Sequence, residues 1–142
     1  MLQRLFIQKV MSPFHNFVYR ASGGRWMAKM SGLPVLQLTT KGRKSGKMRT
    51  APLLYVEDGD AFVVIASFGG QPNHPAWYLN LQASPSATVQ IGAETMDVRA
   101  EDTEGDERAR LWNRVTEASS AGYDGYQEKT DREIPVVMLH RA

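Results

Sequence analysis

From Leu33 onward, apolar residues recur with a period of two and are then interrupted twice by segments with helical spacing. Val35-Leu36-Gln37-Leu38-Thr39, Ala51 to Val56 and Ala61 to Ser67 read as strands. Glu57-Asp58-Gly59-Asp60 separates the last two, and Asp-Gly between two apolar runs predicts a hairpin. Pro72 to Gln82 contains a predicted helix with Trp77, Leu79 and Leu81 apolar, and Ser84-Pro85-Ser86 breaks it. Ala87 to Ile91 and Thr95 to Ala100 are two further strands that turn around Gly92. Thr103, with Asp106 three residues on, reads as the N-cap of a helix that buries Leu111, Trp112, Val115 and Ala118. Tyr123 to Arg132 reads as polar and irregular, and Pro135 to Leu139 as a final strand.

Upstream, Leu2, Leu5, Phe6 and Val10 fall near one helical face. Ser12-Pro13 starts a second short helix that carries Phe14, Phe17 and Val18 and ends at Gly23-Gly24. Two readings of these helices stand side by side. Their apolar faces pack on the core or on a second subunit, as in a homodimer, or they lie on a membrane surface with Arg4, Lys9 and Arg20 toward the headgroups. The 142 residues suit one domain over 1–142, with residues 1–23 as a helical extension. Six or so strands joined mainly by short turns, with helices set aside from them, predict a mainly antiparallel small barrel in an α+β fold.

Composition narrows the chemistry. With no cysteine, disulfides and thiolate catalysis are excluded. No apolar run approaches the roughly 20 residues of a membrane span, and Leu5-Phe6-Ile7 is cut at once by Gln8 and Lys9, so the chain reads as cytoplasmic. His15, His74 and His140 lack metal-ligand spacing, and no metal is expected. No serine sits in G-x-S-x-G. The net charge of +2 is too small to imply nucleic acid, but its distribution matters. Lys41, Arg43, Lys44, Lys47 and Arg49 crowd between two strands, around Gly42 and Gly46.

Glycines let such a loop fold tightly and expose N–H groups, and the cations match phosphate or carboxylate oxygens. The glycine spacing is not that of a phosphate-binding P-loop, and no G-x-G-x-x-G occurs. A solvated hairpin tip is the plain alternative. Nucleic-acid binding is disfavoured because no aromatic residue lies within the loop. A second segment, Ala66-Ser67-Phe68-Gly69-Gly70 through Pro75 to Leu81, runs from a strand end through a glycine pair into a helix. Its glycines permit close ligand approach, and Trp77 and Tyr78 could flank a flat ring or pack as ordinary core. In the third segment, Tyr123 and Tyr126 could line a substrate mouth or pack on the core.

Taken in order, these stretches resemble the deazaflavin-dependent nitroreductase family of actinobacteria. The resemblance rests on Leu38-Thr39-Thr40-Lys41-Gly42-Arg43-Lys44-Ser45-Gly46, then Arg49 and Pro52-Leu53, Ala66-Ser67 with Gly69-Gly70, Pro75 with Trp77-Tyr78-Leu79-Asn80-Leu81, and Thr130-Asp131-Arg132 with Ile134-Pro135. It covers roughly Leu33 to Leu139 and implies a split β-barrel, related to FMN-binding oxidoreductases, that uses reduced coenzyme F-420. By that resemblance Lys41, Arg43, Lys44 and Arg49 hold the cofactor's phosphate and oligoglutamate tail. Pro52, Ala66, Ser67, Phe68, Gly69 and Gly70 contact its rings and polyol, and Trp77, Tyr78 and Asn80 complete the pocket.

Ser67, Tyr123 and Tyr126 face the acceptor, with Ser67 stabilising a developing oxyanion and Tyr126 donating a proton or positioning the ring. Hydride passes to an apolar acceptor such as a quinone or a nitroaromatic. At Phe68 the best-known nitroreductase member carries lysine, and at Leu54 and Ser120 tyrosine, so nitroimidazole reduction is not implied. Rival readings are an FMN enzyme, a deazaflavin reductase of soluble conjugated carbonyls, and a protein that holds the cofactor without turnover.

Overall fold

A computed structural model describes residues 32–119 and 121–142. Both predicted N-terminal helices, and with them the subunit and membrane readings, lie outside the described residues. The chain runs β1 (Val35–Lys41), β2 (Met48–Leu54), β3 (Val56–Asp58), β4 (Ala61–Ile65), a 3₁₀ turn (Phe68–Gly70), α1 (Ala76–Ala83), β5 (Ser86–Ile91), β6 (Glu94–Asp102), α2 (Gly105–Ala118), α3 (Tyr123–Glu128) and β7 (Val136–Arg141). Among the described residues no helix is long and apolar enough to cross a membrane.

The seven strands of the described residues join one antiparallel sheet in the order β2-β1-β5-β6-β7-β4-β3. The two edge strands, β2 and β3, are consecutive in the chain, with Tyr55 alone between them. One residue can bridge opposite edges only if the sheet curls until they meet, so connectivity alone requires a barrel-like closure. The Tyr55 amide marks the corner by donating to the Pro34 carbonyl at 3.1 Å. The expected continuous strand from Ala51 to Val56 is therefore two strands in different parts of a split β-barrel. Its unbroken apolar run gave no sign of the bend. Gly59 (φ +62°) opens the two-residue turn that pairs Asp58 with Ala61, as the Asp-Gly signal predicts.

Two apolar clusters lie on opposite faces of the sheet. Leu36, Leu38, Phe62, Val64, Val89, Val98, Val137 and Leu139 fill the barrel with Trp77, Tyr78 and Leu81 of α1. Val63, Ile65, Val136 and Met138 face the other way, onto Leu111 and Val115 of α2 and Tyr123 of α3. This explains why β4 and β7 read as unbroken apolar runs: both of their faces are covered. Phe62, 1% exposed, stands edge-on to Tyr55 at 5.5 Å with the Arg141 guanidinium 4.7 Å over its ring. Phe62→Ala is expected to cost about 3–5 kcal/mol in denaturant unfolding, whereas truncating exposed Met48 should stay within about 0.5 kcal/mol.

Two helical expectations need correction. Thr103 is not the N-cap of α2, which begins after Glu104. Its amide and its hydroxyl both donate to the Val136 carbonyl, at 3.1 and 2.8 Å, and so extend the β6–β7 pairing. Asp106 and Glu107 occupy the first turn of α2, at the positive end of its dipole. Tyr123 to Glu128 is a helix rather than an irregular stretch. Six residues that include Gly125 have little intrinsic helicity, and burial of Tyr123 supplies what propensity lacks.

Candidate active site

A cavity of about 930 Å³ opens between the β1–β2 loop, strand β2, the turn after β4, α1 and α3. Its two ends differ in chemistry. Among the described residues every charged side chain on its wall, Arg43, Lys44 and Arg49, sits at the loop end with Gly42 and Ser45. From Thr50 to Tyr126 the lining is uncharged: Pro52, Leu53 and Leu54 along β2, Ala76, Trp77 and Asn80 from α1, and Ile65, Ser67, Phe68, Ala121, Tyr123 and Tyr126 at the far end.

The loop is held from inside. Gly42 N–H donates to Lys47 O (2.8 Å), Gly46 N–H to Gly42 O (2.9 Å) and Lys47 N–H to Ser45 Oγ (3.1 Å). Buried Asn80 reaches across from α1, where its Oδ1 accepts from Arg43 N–H (3.0 Å) and its Nδ2 donates to Thr40 Oγ1 (3.0 Å). Four loop amides are thus already committed, so an anion here meets side-chain cations rather than the backbone nest that the glycines suggested. Among the described residues none of the loop cations takes part in an ion pair. Asn80→Ala leaves a buried hydroxyl and an amide without partners. It is expected to cost about 1–3 kcal/mol of stability and to weaken anion binding at the loop about tenfold, read by thermal unfolding and by titration.

The predicted site residues divide. Arg43, Lys44, Arg49, Pro52, Ser67, Phe68, Gly69, Trp77, Asn80, Tyr123 and Tyr126 line the cavity; Lys41, Ala66, Gly70 and Tyr78 do not. Lys41 is exposed at the end of β1. Ala66 is fully buried. Gly70 lies under α3, where a Cβ would stand 2.8 Å from the Tyr126 carbonyl oxygen. Tyr78 turns into the barrel: its hydroxyl donates to Asp102 Oδ2 (2.5 Å), and burial first, then that bond and its charge, push its pKa well up. Adjacent helical residues point about 100° apart, so Trp77 and Tyr78 cannot both face one cavity.

At the far end Tyr123 is 7% exposed, and burial, with Tyr126 beside it, pushes its pKa up to about 12. It therefore stays a neutral hydroxyl at physiological pH. The Tyr123 and Tyr126 rings meet edge-on at 6.1 Å. Ile65 and Ala121 on this wall carry no chemical signal in the sequence, and only the fold collects them beside Leu54.

One supporting residue stood in the sequence without a role. Arg132 donates to three carbonyls around the turn, those of Ser67 (2.8 Å), Ala66 (3.2 Å) and Gln71 (3.0 Å), and its Nη1 lies 3.0 Å from His74 Nδ1.

The sequence profile of the family described as F420H(2)-dependent quinone reductase matches residues 13–141. An F420H(2)-dependent quinone reductase of Mycobacterium tuberculosis is 40% identical over 130 residues, spanning 89% of this chain and 87% of that protein. A solved structure described as an F420-H2 dependent reductase, FDR-A, is 44% identical with a TM-score of 0.68, over 75% of this chain and 94% of that one. A second, described as a domain-swapped dimer, is 37% identical with a TM-score of 0.68, over 91% of this chain and all of that one.

Proposed function

The chain belongs to the F420H(2)-dependent quinone reductase family, and from that premise we propose that it binds reduced coenzyme F420 in this cavity and reduces a quinone at its apolar end. One observation carries the reading: one cavity joins a cluster of cations, without acidic partners among the described residues, to an uncharged, aromatic-lined end.

The residues fit such a group. Arg43, Lys44 and Arg49 are the donors an anionic tail needs, and three cations suit a polyanion better than the single phosphate of FMN. Pro52, Leu53, Leu54 and Trp77 offer an apolar wall to a flat ring system. When bound, the reduced deazaflavin supplies the hydride; the chain supplies orientation, a water-poor surround and hydrogen-bond donors. Leu54, Ile65 and Ala121 receive an apolar acceptor ring. Ser67 lines this end of the cavity, and its hydroxyl would stabilise negative charge as it develops on an acceptor oxygen. Tyr126, on the same wall, would deliver a proton from its hydroxyl or hold the ring by it, and Tyr123 remains a neutral neighbour.

Titration with oxidised F420, followed by stopped-flow oxidation of the reduced form against a menaquinone analogue, tests the proposal. Saturable binding and acceptor-dependent oxidation are expected. Binding without oxidation by any quinone, nitroaromatic or conjugated carbonyl would leave a cofactor-holding protein and remove the reductase reading. A bound yellow flavin after purification would favour FMN. Tyr126→Phe should lower the rate about 10- to 100-fold at unchanged cofactor affinity; an unchanged rate removes its chemical role. Dimerisation is proposed on the likeness to the domain-swapped relative, and sedimentation showing only a 15.9 kDa species would remove it.

A further inference from the structure

The turn that closes the far end of the cavity adopts an unfavourable backbone. Phe68 (φ +49°), Gly69 (φ +64°) and Gly70 (φ +79°) are successive residues in the left-handed region, and Phe68 is the one non-glycine among the described residues to lie there. A bulky side chain avoids that conformation unless its surroundings impose it. Phe68 is also 45% exposed, so burial of its own ring does not repay the strain. Two hydrogen bonds close the turn internally: Gly70 N–H to Ser67 O (2.9 Å) and Gln71 N–H to Phe68 O (3.2 Å). Beyond these bonds the turn packs under α3 at Gly70, and Arg132 ties its carbonyls together from outside.

The Arg132 guanidinium spreads over the carbonyls of Ala66, Ser67 and Gln71, which bracket the strained residues on both sides. Three carbonyls and an imidazole are its partners, and it joins no ion pair among the described residues. A cation placed against neutral acceptors, partly desolvated, is costly, and its planar fork does what a lysine cannot. Arg132 also ties the turn to α3. Gln127 of α3 donates from Nε2 to the Arg132 carbonyl (2.8 Å) and accepts from the Ile134 amide at Oε1 (2.9 Å). The two walls carrying Ser67 and Tyr126 therefore meet at one residue.

His74 completes the arrangement. Arg132 can only donate, so His74 Nδ1 must accept, which fixes the ring as neutral with its proton on Nε2. The groups facing the ring are Arg132, Tyr78, whose ring is tilted by 52° with centroids 4.8 Å apart, and Asp102, which accepts from the Tyr78 hydroxyl. Burial first and the Arg132 charge second depress the His74 pKa, and Asp102 opposes them.

We propose that Arg132 is the positioning residue of the transfer site: its guanidinium, seated against the His74 ring, holds the Ala66–Gln71 turn so that Ser67 and Phe68 face the acceptor end of the cavity. The catalytic part of this rests on the function proposed above, but the structural part can be read in the free protein.

Arg132→Gln and Arg132→Lys are the variants. In the free protein, amide exchange at Gly70 and Gln71 should accelerate at least tenfold in both, while Val64 and Leu139 in the sheet keep their protection. The His74 titration, followed by NMR, should move upward in the Gln variant as the neighbouring cation is lost, while burial continues to hold it down. With cofactor and quinone, kcat should fall about 10- to 100-fold with the F420 dissociation constant within about threefold, since the tail-binding cations lie at the other end. Guanidinium at non-denaturing concentration should restore part of the rate to a smaller Arg132→Ala variant. Unaltered exchange and an unaltered His74 titration would overturn the proposal, as would equal loss of protection in the sheet or a loosened turn with unchanged kcat. Should the wild-type chain bind no F420, the function proposed above fails, and the exchange and titration results still decide the role of Arg132 in the turn.

Discussion

Replacing Arg43, Lys44 and Arg49 together by alanine is expected to weaken F420 binding by about 10²- to 10³-fold while leaving the fold intact. The size follows from the number and setting of the contacts. A hydrogen bond to a charged group contributes about 1.5–3 kcal/mol, and partial exposure lowers that, so three are expected to supply about 3–4 kcal/mol. The fold should survive because none of the three belongs to either apolar cluster or to an ion pair among the described residues. Wild-type affinity should also fall as salt rises, because the loop is exposed and its charges are screened within about 8–10 Å near physiological ionic strength. In the triple variant that salt dependence should flatten. Arg99→Ala, on an exposed stretch of β6 away from the cavity lining, removes charge without touching the loop and should leave affinity unchanged. A loss in Arg99→Ala about one third as large in free energy as that of the triple variant, in proportion to the charge removed, would mean that the cluster acts only through net charge. No loss in the triple variant would remove the loop from cofactor recognition.

How much of this was legible beforehand depends on what each feature is made of. β4 and β7 were legible because a strand buried on both faces must be apolar throughout, and the β3–β4 hairpin because Asp-Gly encodes its turn. The basic loop was legible because charge density is a property of sequence. The corner at Tyr55 was not, since a bend between two apolar strands alters no residue type. α3 was hidden because tertiary burial of Tyr123, rather than local propensity, makes it a helix. Tyr78 was drawn toward the cofactor by its place beside Trp77, and the helical rotation between neighbours sends it to Asp102 instead. Arg132 stood in a polar stretch that the family resemblance included but left without a role. Its partners are main-chain carbonyls, which every residue possesses, so no side-chain pattern could reveal them.

Gly70→Ala should be far more damaging than Gly69→Ala, although the two glycines are neighbours and both lie in the left-handed region. At Gly69 an added Cβ meets nothing within 4 Å, so the change carries only the conformational penalty, about 1–2 kcal/mol. At Gly70 the same atom would stand 2.8 Å from the Tyr126 carbonyl oxygen, 3.1 Å from Tyr126 Cα and 3.2 Å from Lys129 Cβ. Two of these are backbone atoms and cannot rotate aside; α3 itself has to move. Adding about 1–3 kcal/mol for that overpacking brings the expected loss to about 2–5 kcal/mol. At about 2–4 °C per kcal/mol for a chain near this size, the melting temperature should drop by about 4–20 °C. The displacement carries Tyr123 and Tyr126 away from the acceptor end and leaves the basic loop in place. Quinone reduction in Gly70→Ala should accordingly fall more than tenfold while F420 binding changes little. If Gly70→Ala and Gly69→Ala melt together, the turn does not bear on α3, and the acceptor wall is set by something other than this contact.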